Sequence, residues 1–359
     1  MACGDDATVV DAGRDAAARM DAGRMAFDAG RALDAASTDA APPANDADMR
    51  DAASDGGDDA GALDAGGDAG LPQTLAAAGL YRDAALTVLA DGVERFEPSY
   101  ALWSDGATKK RWLYLPPGKR IDTSDMDAWR FPVGTRAFKE FTRDGKRVET
   151  RMLYKTTDGW YMMAYAWNAT QTQAVAVPDG VQNALGTEHD IPSSDACREC
   201  HEGVTDRLLG VSAIQLSHDK PGLDLKQLAA ADRLSDPPTG DFRLPATAEW
   251  NALGYLHANC GNCHNPTSIV FDRIDMQLWL PVAALASATS TPSHTTSVGV
   301  ALSESDPGYA MRVVAKDPDM SGLVHRMELR GDVKQMPPLA SDVVDATGAG
   351  LVRTWISGL

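Results

Sequence analysis

Two stretches of the chain carry residues able to hold a redox-active metal group. "ACRECHEG" supplies Cys197, Cys200 and His201, and "HANCGNCHNP" supplies Cys260, Cys263 and His264. Both read Cys-x-x-Cys-His, the spacing at which c-type haem is attached. The chemistry explains the spacing. Two thiols must reach the two vinyl groups on one porphyrin edge, and two intervening residues on a helical turn set the sulfurs that far apart. The following imidazole then projects under the iron as its proximal ligand. Haem c, at two sites, is the expected cofactor. The same cysteines have other uses: a four-thiolate or mixed Cys/His zinc site, or a redox disulfide within a βαβ unit. No βαβ pattern surrounds either pair, and the histidine after the second cysteine is idle in both alternatives. Its presence in both clusters favours haem.

The second cluster is framed by helical signals. Trp250, Leu253, Leu256, Cys260 and Cys263 recur every three or four residues, which predicts a helix from near Thr247 into the cluster. Downstream, "QMPPL" presents Met336 ahead of two prolines that stiffen its loop. "SDVVDATGAGLVRTWISGL" predicts a closing helix, with Asp342 as N-cap and Val344, Leu351, Val352, Trp355, Ile356 and Leu359 as its apolar stripe. This order resembles a class I cytochrome c, which makes Met336 the distal ligand, a soft donor that favours ferrous iron. Met327 and His325 are the runners-up. Gly254, Gly348 and Ala349 leave room for the two helices to approach, with Trp355 at the crossing. No Met-Pro follows the first cluster. Its distal ligand is expected from His218, or from His257, two turns before His264 on the same helix side. His189 and His294 read as loop residues.

The elements that precede these clusters are β-like. After a short helix in "LPQTLAAAGLY", "RWLYLPPG" ends in a turn. "TRAFKEFT", "KRVETRMLYKT" and "WYMMAYAWN" follow as strands joined by the hairpin signals "RDG" and "TDG". In the second of these, Val148, Thr150, Met152 and Tyr154 alternate with Arg147, Glu149 and Arg151, which predicts a half-buried strand. The third is apolar on both faces and is expected to be central. An antiparallel sheet or small sandwich over residues 95–190 follows. "LDLKQLAAADRL" is weakly helical, "SDPPTGDFRLP" reads as a linker, and residues 287–308 read as a Ser/Thr/Pro-rich loop. The expected fold class is multidomain α+β: a disordered acidic tail (1–70), an antiparallel β-rich domain (71–190), a first Cys-x-x-Cys-His segment with its linker (191–243), and a mainly α-helical cytochrome c-like domain (244–359).

Charge is uneven. Residues 1–70 hold sixteen Asp against five Arg, most of the formal charge of −18. With few large apolar side chains, that stretch cannot offset the entropy of ordering. Cys3, in "MACGDD", resembles the cysteine at which bacterial lipoproteins are cleaved and lipidated. It is a candidate lipid anchor, with its apolar leader lost to a late start. No basic stripe marks a nucleic-acid partner, and no apolar run is long enough for a transmembrane helix.

The phrases "LWSDGATKKRWLYLPPG", "WRFPVGTRAFKEF", "VETRML", "AYAWNATQTQA", "CRECH", "GYLHANCGNCHNP", "DPDMSGLVHRM" and "MPPLASDVVDATGAGLVRTWI" resemble a family of bacterial di-haem c-type cytochromes with an N-terminal β domain. The resemblance spans about residues 95–359. It implies electron transfer in the periplasm or cell envelope with redox proteins as partners. It assigns Cys197, Cys200 and His201 to one haem, and Cys260, Cys263, His264 and Met336 to the other. The long loop before Met336 departs from the pattern. Two other functions use the same residues: a haem enzyme or haem subunit of a dehydrogenase or peroxidase, and a zinc-stabilised binding protein without haem.

Overall fold

The computed structural model describes residues 71–339 and 341–359. The acidic tail and Cys3 lie outside the described residues.

A six-stranded antiparallel meander forms the β region. Its strands are β1 (Val93–Phe96), β2 (Thr108–Tyr114), β3 (Arg136–Arg143), β4 (Lys146–Thr156), β5 (Gly159–Trp167) and β6 (Ala174–Ala176), paired in sequence order. The "RDG" signal turns the β3–β4 hairpin, with Asp144 and Gly145 both at positive φ as a tight hairpin turn requires. On one face Trp112, Phe138, Met152, Met163 and Tyr165 pack against Leu75, Leu80 and Leu86 from the chain ahead of β1. On the other face, Leu113, Ala137, Leu153 and Met162 lie in one cross-strand row. Leu208, Val211, Leu216 and Leu234 cover that row.

The sheet is single rather than a sandwich, and two strand expectations change with it. β4 is not half-buried: Val148, Glu149, Thr150, Met152, Leu153 and Tyr154 are all inaccessible. Its second face is roofed by chain from beyond residue 190, which alternation within the strand does not encode. β5 is buried on both faces for the same reason, yet it lies next to the edge strand β6, not at the centre of the order. The stretch read as a linker also joins the core, with Leu234 and Leu244 buried and Leu234 bridged to Ile121.

Beyond the sheet come α1 (Ser194–His201), α2 (Leu225–Ala230) and α3 (Ala248–Asn259). Each starts on a side-chain cap from Ser193, Asp224 or Thr247 that accepts a backbone N–H of the first turn. The last third holds α4 (Pro292–Thr295), β7 (Ala301–Asp306), β8 (Tyr309–Met311), α5 (Gly322–Glu328) and α6 (Ala346–Gly358). A mainly helical C-terminal domain is therefore corrected to two full helices, two short ones, a hairpin and long irregular connections. The composition explains this. Ser, Thr, Pro and Gly between the second cluster and α5 favour caps and turns over helix interiors. Thr291 caps α4 ahead of Pro292, and Pro307-Gly308 turns the β7–β8 hairpin inside the stretch expected to be a loop. Among the described residues no helix is long and apolar enough to cross a membrane.

The helices α3 and α6 pack together as expected, through Trp250, Leu253, Leu256, Val352, Trp355 and Ile356. The N-cap of α6 is Asp345, which accepts from the Gly348 N–H at 2.9 Å, not Asp342. A Cβ on Gly348 would collide with the Tyr255 ring, so this glycine does permit the approach. Gly254 makes room for a different neighbour, the Tyr100 ring ahead of β2.

Gly348→Ala is expected to lower stability by about 1–3 kcal/mol through overpacking, measured from the urea midpoint. Combining it with Tyr255→Leu, which removes the obstructing ring end, should cost less than the sum of the two single changes.

Candidate functional site

The second cluster begins where α3 ends. The Cys260 N–H bonds the Leu256 carbonyl at 2.9 Å and closes the helix. The N–H groups of Cys263 and His264 then both turn back onto the Cys260 carbonyl, at 3.1 and 2.9 Å. The predicted helical stripe therefore holds through Leu256 and stops there, with Cys263 and His264 in a tight turn. The asparagines of the motif pin that turn. Asn262 Nδ2 donates to the Ala258 carbonyl at 2.9 Å, and Asn265 Nδ2 donates to the Gly261 and Asn262 carbonyls at 2.8 and 3.0 Å. His264 is buried, and its Nδ1 has no partner among the described residues. Burial pushes its pKa down to about 4, which keeps the ring neutral, the form in which imidazole ligates metals.

Cys260, Met327 and Met336 line one narrow cleft beside α3. Met336 is held there by its N–H on the Arg326 carbonyl at 2.8 Å. Met327, the runner-up, shares the cleft. His325 does not: its ring stacks on Tyr309 with centroids 4.1 Å apart. Trp103 closes the cleft from the segment between β1 and β2. Its backbone N–H donates to Asn259 Oδ1 at 2.7 Å and its indole N–H to the Val343 carbonyl at 3.2 Å. Asp105 accepts the Val343 N–H at 2.8 Å. This strap ties the end of α3 to the start of α6. Sequence reasoning noted the "LWSDG" phrase without a mechanism and missed Trp103, Asp105 and Asn259. The phrase itself was the signal.

The first cluster lies on α1, with Cys197, Cys200 and His201 all on the helix and partly accessible. Cys197 packs against the core row of the sheet, and burial, opposed by Arg151, raises its pKa. The chain leaving α1 meets the second cluster. A Cβ on Gly203 would collide with the Asn262 carbonyl, and Thr267 Oγ1 donates to the Gly203 carbonyl at 3.0 Å. Two motifs far apart in sequence are thus neighbours in space.

The four remaining histidines separate cleanly. His218 is buried in the turn before α2; its Nδ1 accepts the Lys220 N–H at 3.1 Å, and its Nε2 has no partner among the described residues. His257 is buried in α3, where its Nδ1 accepts the Leu280 N–H at 3.1 Å and its ring lies 4.3 Å from Trp279. A backbone N–H thus engages Nδ1 of each ring, and His218 Nε2 is the one of the two Nε2 atoms that is buried without a hydrogen-bond partner among the described residues. His189 lies in a loop, as expected. It is buried, with Nε2 2.9 Å from Glu149, because the loop that carries it folds over β4. His294 sits in α4, its ring 6.5 Å from that of Trp355.

Among the described residues, no three His, Cys, Asp or Glu side chains converge as a metal-holding group, so the four thiols are not gathered into one zinc-type centre. The donor types are those that hold c-type haem. Each cysteine pair is followed directly by an imidazole, a thioether shares the cleft of Cys260, and His218 offers a buried unpartnered nitrogen.

Burial pushes His257 down to about 3. The unfolded chain, with an ordinary histidine pKa near 6.5, takes up the proton first. Stability from this group is therefore complete above about pH 6.5 and is lost as pH falls toward 3, at about 1.4 kcal/mol per pH unit. Urea titrations between pH 4 and 6.5 should show that slope, and His257→Gln should flatten it by about that amount. Compared with family models, curated proteins and solved structures, the chain matches none.

Proposed function

We propose that the chain is a di-haem c-type electron-transfer protein of the cell envelope. The observation that carries this is the cleft in which Cys260 and Met336 meet. An attachment thiol and a soft thioether, remote in sequence, share one space at the end of α3. Cys260 and Cys263 would hold one haem, with His264 and Met336 as its axial donors. Cys197 and Cys200 would hold the other, with His201 proximal and His218, which keeps an unpartnered Nε2, as distal donor. A covalently held haem supplies a one-electron ferric/ferrous couple.

The chain's own residues do the rest. The Asn262 and Asn265 amides lock the turn that presents His264. The Trp103 strap closes one wall of the cleft and limits water. The contact of Gly203 with the second turn brings the two attachment segments together, so haems held by them would lie near one another and could relay one electron between a donor and an acceptor protein. The partners are redox proteins. Lipidation at Cys3 would keep the chain at a membrane surface.

Protein matured in a host able to attach c-type haem should have the mass of the polypeptide plus two haems. Met336→Ala should lower one reduction potential and leave the other nearly unchanged. A mass equal to the bare processed chain would remove the electron-transfer reading. Equal shifts at both centres, or none, would remove Met336 as a ligand.

A further inference from the structure

The phrase "LWSDG" encodes a turn. Asp105 and Gly106 both lie at positive φ, 45° and 68°, and the Ala107 N–H closes onto the Ser104 carbonyl at 2.9 Å. An Asp-Gly pair is the sequence that such a turn favours. Glycine adopts this backbone freely, and Asp is one of the few other residue types that tolerate it. The turn lies in the connection between β1 and β2. Arg143, at the end of β3, donates to the Asp105 carbonyl, so the turn is fastened to the sheet.

The Asp105 side chain is turned inward. The residue is 3% exposed, and its Oδ1 accepts the Val343 N–H at 2.8 Å. Taking a carboxylate out of water is costly, and a charge-assisted bond to a backbone N–H is one of the stronger ways to offset that cost. The two backbone groups of Val343 are held unequally. Its carbonyl has two donors, Trp103 Nε1 at 3.2 Å and Arg330 Nη2 at 3.3 Å. Its N–H has Asp105 alone among the described residues.

Val343 closes the segment that carries Met336. That segment begins where the Met336 N–H meets the Arg326 carbonyl at 2.8 Å. Within it, Ser341 Oγ donates to the Pro337 carbonyl at 2.8 Å, and Gln335 Nε2 reaches the Ser341 carbonyl at 3.3 Å. These local bonds shape the segment, and the bond from Asp105 ties its far end to the sheet. We infer that Asp105 is a positioning residue for Met336: the Asp-Gly turn of the β1–β2 connection grips Val343 and so holds the methionine segment in the cleft beside Cys260. The iron that Met336 would meet rests on the proposed function; the grip on the segment does not.

Three variants separate the carboxylate from the turn. Asp105→Asn keeps an acceptor oxygen and tolerates positive φ. Asp105→Gly keeps the backbone conformation and removes the acceptor. Trp103→Phe removes one donor from a carbonyl that keeps its second. Hydrogen exchange on the purified full chain is the first readout, with or without haem. Asp105→Gly should exchange several-fold faster than wild type at the amides from Leu339 to Asp345, Asp105→Asn should stay near wild type, and Trp103→Phe should fall between them. Amides of β3, β4 and β5 report global opening and should not change. Unchanged exchange in the segment, or a rise shared with the sheet, would overturn the inference. Redox titration of the haem-loaded chain is the second readout. Asp105→Gly should shift the oxidation equilibrium of one haem about tenfold toward ferric, about 59 mV for one electron. It should be the haem that responds to Met336→Ala, and Asp105→Asn should restore it. No shift, or equal shifts at both haems, would overturn Asp105 as a positioning residue for the ligand. If intact mass shows no haem, the proposed function fails by itself, and hydrogen exchange alone then decides whether Asp105 holds the segment.

Discussion

The backbone at Gly203 lies against the Asn262 carbonyl so tightly that no side chain fits between them. Much of the arrangement depends on this contact. It fixes the exit of α1 against the turn that ends α3, and so decides where the first cluster sits. The chain between must then run back over the sheet, which is how Leu208, Val211, Leu216 and Leu234 come to roof β4 and β5. The Thr267 hydroxyl on the Gly203 carbonyl holds the same junction from the other side. A hydrogen bond of this kind contributes roughly 1 kcal/mol. Its larger effect is to choose one of many ways for two short motifs to meet.

Energetically the molecule is divided. One face of the sheet and the α3–α6 crossing are conventional apolar cores. The face beneath α1 is mixed: an apolar row, a cationic row, and then a row in which Phe141 and Ala166 flank Glu149. Burial works to raise the Glu149 pKa, yet Arg151 and His189 bring it below the usual carboxylate range. The carboxylate is thus kept ionised in a dry setting, which is favourable only when its partners are fixed. Such a network stabilises weakly for its size and specifies geometry strongly.

Much of the local structure was legible in the sequence. The hairpin signals located β3, β4 and β5, Thr247 marked the start of α3, and the small residues near Gly348 announced a helix crossing. What escaped were features set by chain far away. Glu149 looks like the polar side of a half-exposed strand until the loop carrying His189 folds over it. Asp342 and Asp345 are both capping residues, and the choice between them depends on Gly348 docking against Tyr255. Stripe periodicity ran on through Cys260 and Cys263, although the asparagines around them bend the chain out of the helix. The cysteine and methionine positions were visible as motifs. The cleft that joins Cys260 to Met336, and the Trp103 strap across it, exist only in three dimensions.

The edges of the sheet are short. β1 has four residues and β6 three. Each is partly covered, Phe96 by a bridge to Leu223 and Val175 by a bridge to Thr74. Long open edges invite pairing with the backbone of another molecule. These borders offer only short amide ladders, so the meander presents little backbone for edge-to-edge pairing.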